Sequence, residues 1–239
     1  GWMIKPPHFD NTKKYPLLMT QYSGPGSQRV SDSWKTDWED ALAQEGFVIA
    51  CVDGRGTGFR GEEFKKCTYK DLGNLEVKDQ IEAAKYLGSL QFIDPERIAI
   101  YGWSYGCFMA LNCILKGNDV VRAAVSVAPV TSWRFYDTIY TELYNGNPND
   151  NPEGYDNNSP INYAELLKGK LFLAHGTGDD NVHIQNTYRM VKALNEANKE
   201  YELHIYPDRN HSMGPDRKHL INAAIEFLIR TIGDNGGNE

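Results

Sequence analysis

Short apolar runs alternate along the chain with segments in which apolar residues recur every third or fourth position. Residues 17–22, 47–52, 97–101, 121–127, 171–174 and 201–206 form runs of strand length. Runs this short and continuous suit strands buried on both faces of a parallel sheet. Between them, Val77, Ile81, Ala84 and Leu87 share one face of a helix opened by Asn74. Further helices are expected from a cap at Thr36 or Asp37 to Gln44, over 107–115, over 184–195 and over 218–232. Pro, Asn and Asp dominate 145–160, which reads as a loop, and Gly and Asn fill a tail that reads as frayed. Strands alternating with helices predict an α/β fold, a mostly parallel central sheet with helices on both faces. No internal repeat or linker interrupts the pattern, so residues 1–239 read as a single domain.

One stretch turns this pattern into chemistry. Gly102-Trp103-Ser104-Tyr105-Gly106 lies between the 97–101 run and the apolar helix that follows it. Strand, G-x-S-x-G and helix together are the nucleophile elbow of an α/β-hydrolase. The turn is so tight that side chains two residues either side of the serine would clash, hence the glycines. A serine hydroxyl near neutral pH needs a base, and the base needs an orienting acid. In this fold the acid and then the base follow the serine in the chain, each on a loop just past a strand. The loop after 171–174 carries Asp179 and Asp180, and the loop after 201–206 carries His211. His211 is therefore the expected base. Spacing does not separate Asp179 from Asp180: one should meet the imidazole and the other cap the next helix. His175 and His183 flank the acid loop as supporting residues, whereas His8, His204 and His219 read as structural or surface residues.

Composition narrows the alternatives. A net charge of −7 without a Lys/Arg cluster argues against nucleic acid or an anionic membrane as partner. No apolar run approaches the roughly 20 residues of a membrane span. The four cysteines have no metal-site spacing and read as reduced and mostly buried. Asp53-Gly54-Arg55-Gly56-Thr57-Gly58 follows a strand but lacks the spacing of a dinucleotide loop, so it reads as a structural turn, with Arg55 bracing the rim of the site. The reading includes no cofactor and no metal. The aromatic segment from Trp133 to Tyr144 reads, on its own, as core or lid packing.

A resemblance then covers nearly the whole chain. Tyr22-Ser23-Gly24-Pro25, the Asp53–Gly58 turn, the elbow, Val127-Ala128-Pro129-Val130, Tyr140-Thr141-Glu142 and the segment from His175 to His183 carry it. Together they resemble the C-terminal hydrolase domains of dipeptidyl peptidases in the prolyl oligopeptidase family of serine peptidases. The resemblance implies a triad of Ser104, Asp179 and His211, and it selects Asp179 over Asp180. It implies an oxyanion hole made by the Tyr22 hydroxyl and the Tyr105 backbone N–H. It implies a pocket for the residue before the scissile bond, formed by Tyr105, Val130, Trp133, Tyr136, Tyr140 and Val182, with Asn181 holding a substrate carbonyl. An aromatic box suits proline, a compact apolar ring with no N–H to satisfy. The implied substrates are peptides with proline or alanine at the second position. The family joins such a domain to an N-terminal β-propeller that this sequence does not contain. The chain opens on Gly1-Trp2-Met3 and reads as part of a longer polypeptide, its own propeller being the implied partner. A homodimer and a periplasmic, secreted or cell-surface location are implied by the resemblance alone. Cys107 stands where the family has a second glycine, which questions the packing of the first helical turn. The same fold also hosts esterases, acylaminoacyl peptidases and non-catalytic interaction domains, but here all three triad positions are filled.

Overall fold

The computed structural model describes residues 1–34 and 37–233. Seven strands form one sheet: β1 Trp2–Ile4, β2 Tyr15–Thr20, β3 Val48–Cys51, β4 Ile93–Trp103, β5 Ala123–Val127, β6 Lys170–Gly176 and β7 Glu202–Tyr206. Their spatial order is β1-β3-β2-β4-β5-β6-β7, and every neighbouring pair is parallel except β1 with β3. The helices are α1 Trp38–Gln44, α2 Glu62–Lys66, α3 Leu75–Gly88, α4 Tyr105–Lys116, α5 Thr138–Asn145, α6 Pro152–Asp156, α7 Gln185–Glu196 and α8 Arg217–Ile232. This is the α/β-hydrolase fold, with the mostly parallel sheet expected.

Both faces of the sheet are buried, which is why its strands lack polar alternation. On β4, Ile98 and Ile100 join one core cluster while Ala99 and Tyr101 join the other. The first cluster is covered by α3, α4 and α7 through residues such as Val77, Phe108 and Met190. The second is covered by α1 and α8 through Leu42, Leu220 and Phe227. No helix of the described residues is long and apolar enough to cross a membrane.

Several boundaries depart from expectation. The strand expected over 17–22 starts at Tyr15 and ends at Thr20. Past that point the Gln21 side chain reaches away to Gly106 O at 2.8 Å. The 145–160 segment is not all loop, because it contains α6 and leads into the short 3-10 stretch Pro160–Leu166. Asn151 and Pro152, which look like helix breakers, are the cap and the first helical position of α6: the Asn151 side chain accepts from Gly154 N–H. Asp37 caps α1 through a capping box with Asp40, while the alternative Thr36 and the tail beyond residue 233 lie outside the described residues. β1, α2 and α5 were not anticipated. Three of the four cysteines are buried and all are unpaired.

The junction of β4 and α4 positions everything downstream. A β-carbon at residue 102 would lie 1.8 Å from the Gly106 carbonyl oxygen, and one at residue 106 would lie 2.8 Å from that of Gln21. Ser104 between them holds φ 60° and ψ −120°, a conformation that L-residues rarely adopt. Cys107 is fully buried and faces Ser126 on β5, so the larger side chain is accommodated in the first turn of α4. We expect Gly102→Ala to lower stability by about 3 kcal/mol through overpacking of backbone against backbone. Chemical denaturation of the variant beside the parent checks this, and an unchanged midpoint would contradict the close approach.

Candidate active site

Ser104 sits at the carboxyl edge of the sheet, between β4 and α4. Its N–H donates to Val127 O at 2.9 Å, and its carbonyl accepts from the N–H groups of Cys107 and Phe108. The helix thus begins immediately after the serine, and the Tyr105 N–H, at its first position, has no intrahelical acceptor.

Asp179 and His211 arrive from the loops after β6 and β7. His211 Nδ1 donates to Asp179 Oδ2 at 2.7 Å. The Asp179 carboxylate is buried and accepts from three further groups. Oδ1 takes the N–H groups of Asn181 at 3.0 Å and Val182 at 2.9 Å, and Oδ2 takes His175 Nε2 at 3.1 Å. Burial opposes ionisation, but the donors His175 and His211 outweigh it and hold the carboxyl well below the usual carboxylate range. The tautomers follow from acceptor-only partners. His175 Nε2 also contacts the Val182 carbonyl at 2.8 Å and so carries a proton, leaving Nδ1 to accept from the Thr187 hydroxyl at 2.7 Å. His211 presents Nδ1–H to a carboxylate, so in the neutral ring the lone pair is on Nε2.

Ser104, His211, Tyr22, Tyr136 and Asn181 line one cavity of about 590 Å³, which Asp180 also borders. Among the described residues the Ser104 hydroxyl has no hydrogen-bond partner, which leaves it free to turn, and such contacts commonly tighten only when substrate is bound. Two side chains hold the rim together. Trp103 Nε1 donates to His211 O at 3.0 Å, and Gln21 Nε2 donates to Gly106 O at 2.8 Å. The second contact keeps the Tyr22 segment against the start of α4, with the Tyr22 and Tyr105 rings 6.0 Å apart. Burial raises the Tyr22 phenol, so near neutral pH it is a hydrogen-bond donor.

The aromatic segment packs as connected rings joined to the buried core, and of the six residues expected to form the pocket only Tyr136 borders the cavity. Trp133 lies 5.4 Å from Tyr105 and 6.0 Å from both Tyr136 and Tyr140, ring centre to ring centre. Val130 and Val182 are buried in the same cluster. The Tyr136 hydroxyl donates to Asn181 Oδ1 at 2.6 Å, leaving the Asn181 amide N–H groups as donors.

Other candidates fall elsewhere. Asp180 is exposed and does not cap α7, which has no side-chain cap. Arg55 grips Asp79 on α3, with Nη2 2.6 Å from Oδ1, and does not border the cavity, so its place is in the turn and not at the rim. His204 stacks on Phe172, His219 meets the Tyr206 hydroxyl, and His183 accepts from Gln185 N–H. Sequence reasoning missed Gln21, Trp103, Thr187 and Glu76, whose carboxyl accepts a hydrogen bond from the Tyr105 hydroxyl at 2.9 Å. All four act through contacts distant in sequence, for which local pattern carries no signal.

The chain is similar to known proteins over most of its length. A family profile described as "Prolyl oligopeptidase family" matches residues 34–235. The probable dipeptidyl-aminopeptidase B of Sclerotinia sclerotiorum is 46% identical over 213 residues, covering 87% of this chain and 23% of that protein. Prolyl endopeptidase FAP of Mus musculus is 44% identical over 232 residues, 95% of this chain and 30% of that protein. Among solved structures, dipeptidyl peptidase 4 of Porphyromonas gingivalis superposes with a TM-score of 0.94 at 48% identity, covering 96% of this chain and 33% of that one. The chain therefore spans only about a quarter to a third of the length of these relatives.

A carboxylate ionised this firmly links stability to pH. Its folded-state pKa is depressed, so its stabilisation is complete above the unfolded value of about 3.9 and is lost as pH falls through the lower folded value. Thermal melts of wild type and Asp179→Asn should show a gap that narrows only below about pH 4. A gap of constant size down to strongly acid pH would show that the carboxylate is not held ionised.

Proposed function

This chain belongs to the prolyl oligopeptidase family, and from that membership we propose that it is the catalytic domain of a serine-type dipeptidyl peptidase. The observation that carries the reading is the 2.7 Å contact of Asp179 with His211 Nδ1, made beside the strained Ser104 at one cavity. In the proposed reaction the Ser104 hydroxyl attacks the scissile carbonyl carbon while His211 Nε2 takes its proton. Asp179 keeps the imidazole in the Nδ1–H tautomer and balances the imidazolium that forms. The negative charge that develops on the carbonyl oxygen meets the Tyr22 hydroxyl and the Tyr105 N–H. Collapse breaks the C–N bond, His211 gives its proton to the leaving amine, and an acyl-enzyme on Ser104 remains. Water, deprotonated by His211, then releases the acid and restores the serine.

The box of Tyr105, Val130, Trp133, Tyr136, Tyr140 and Val182 would take the residue before the scissile bond. It offers apolar walls suited to proline or alanine, and the Asn181 amide is a donor for a substrate carbonyl. Counting two residues from the substrate N-terminus requires a clamp for its ammonium group, and the rest of a parent chain several times longer, with its N-terminal β-propeller, would supply it. We therefore infer weak turnover by this domain alone. The reading carries with it peptide substrates with proline second, homodimerisation, and action in a periplasm or outside the cell; support for the last two is the family likeness only.

Fluorophosphonate labelling of the intact chain beside Ser104→Ala tests the assignment. Labelling that vanishes in the variant, with slow release of nitroaniline from Gly-Pro-nitroanilide, is the expected pair of results. A folded wild type that resists the probe would refute an assembled triad, and nitroanilide turnover matching that of a full-length relative would refute the need for the propeller.

A further inference from the structure

Glu76 is a fully buried carboxylic acid lying behind the aromatic box, and the mechanism above does not use it. It stands in the first turn of α3. Its Oε2 accepts from Gly73 N–H at 3.0 Å, and its Oε1 accepts from the Tyr105 hydroxyl at 2.9 Å. Burial pushes its pKa up to about 7, against the pull of these two donors. The glycine-rich turn closes over it: a β-carbon at Gly56 would lie 3.5 Å from Glu76 Cγ. Its two oxygens accept from these two buried donors, and an apolar residue of similar volume would leave both unpaired.

We propose that Glu76 is a positioning residue that sets the specificity of the box, by fixing the Tyr105 ring through its hydroxyl. The proposal rests on the peptidase reading above. Tyr105 has two ends with separate restraints. Its backbone N–H is placed by the start of α4, where Ser104 O accepts from Cys107 and Phe108. Its ring is placed by packing against Phe108 and Trp133, both centroids 5.4 Å away, and by the one directional contact at the hydroxyl. Gly73 N–H can only donate, so one oxygen at residue 76 must accept, and the other meets a hydroxyl that donates best to a second acceptor. A carboxylate satisfies both donors. An amide leaves a donor facing a donor, or strands the phenol proton. Loss of the bond frees the ring to tilt against its aromatic neighbours, while leaving the oxyanion N–H in place.

Covalent labelling rates separate these two ends. A simple alkyl fluorophosphonate reports the triad and the N–H, whereas diphenyl phosphonate analogues of X-Pro and X-Ala dipeptides report the box. In Glu76→Gln we expect the Pro-to-Ala rate ratio to fall about tenfold while the alkyl probe changes less than about threefold. Tyr105→Phe should reproduce the fall, and the double variant should be no worse than either single one, because both remove the same bond. Melting temperatures show that each variant is folded, and if Glu76→Gln does not fold, Tyr105→Phe decides alone. An unchanged ratio in a folded variant, or equal losses for all three probes, would overturn the proposal. Wild type that no probe labels would instead refute the peptidase reading, and this inference with it.

Discussion

The contact between the end of β4 and the first turn of α4 leaves no space for a β-carbon at residue 102, and the Gln21 backbone just past β2 leaves none at residue 106. That contact forces Ser104 to a positive φ and aims the serine out of the sheet edge. The strain is offset where it arises. Val127 accepts the serine N–H, and the serine carbonyl accepts two helix N–H groups. The helix that carries the turn is buried from Tyr105 through Leu115, so the strained element rests on the core. A surface helix could relax away from such a turn, but this one is enclosed on every side.

Two buried carboxyls flank this turn, and their surroundings push them in opposite directions. Asp179 accepts four hydrogen bonds, two from backbone N–H groups and two from imidazoles, and stays ionised despite burial. Glu76 accepts two, and burial prevails. Desolvation is the largest influence on Glu76, whereas at Asp179 the imidazole donors His175 and His211, with the charge of His211, outweigh it. The division also separates tasks. Asp179 faces the wet cavity through His211, where a permanent charge helps an imidazolium to form. Glu76 faces aromatic rings, where only its hydrogen-bonding geometry acts.

How much of this was legible in the sequence follows from the range of the forces involved. Period and punctuation are local, so the parallel strands, five of the helices and the elbow could be read directly from runs such as 97–101 and from Gly102 and Gly106. Local reading failed where one residue type serves two purposes. Asn151 and Pro152 break a helix from within but start one at its end, and α6 was lost to that ambiguity. β1 is three residues long and antiparallel, and it gains its identity from pairing with β3 rather than from its own pattern. Chain order brought His211 and the acid loop forward as partners for Ser104, but spacing could not choose between adjacent aspartates. That choice depends on which carboxylate turns inward, and the structure turns in Asp179 and leaves Asp180 exposed. Residues that act across the fold, such as Gln21, Trp103 and Glu76, gave no signal because their partners lie 85, 108 and 29 positions away.

The sheet order explains why the base needs such help. Serine, acid and base sit on loops after β4, β6 and β7, which lie in sequence across the sheet with β5 between the first two. Adjacent strands are spaced by about 4.8 Å, so the end of β7 is about 14 Å from the end of β4. The acid loop starts one strand from the base loop and can reach it directly. The base must lean back across two strands to approach the serine. Asp179 pulls the ring in that direction, and Trp103, the residue before the serine, holds the His211 carbonyl from the other side. The histidine is thus tied at its ring to β6 and at its backbone to β4, with only about a quarter of its side chain exposed. A loop anchored at one of those points would leave the imidazole free to swing over the cavity, whereas two anchors on different strands hold it at the cavity that Ser104 also lines.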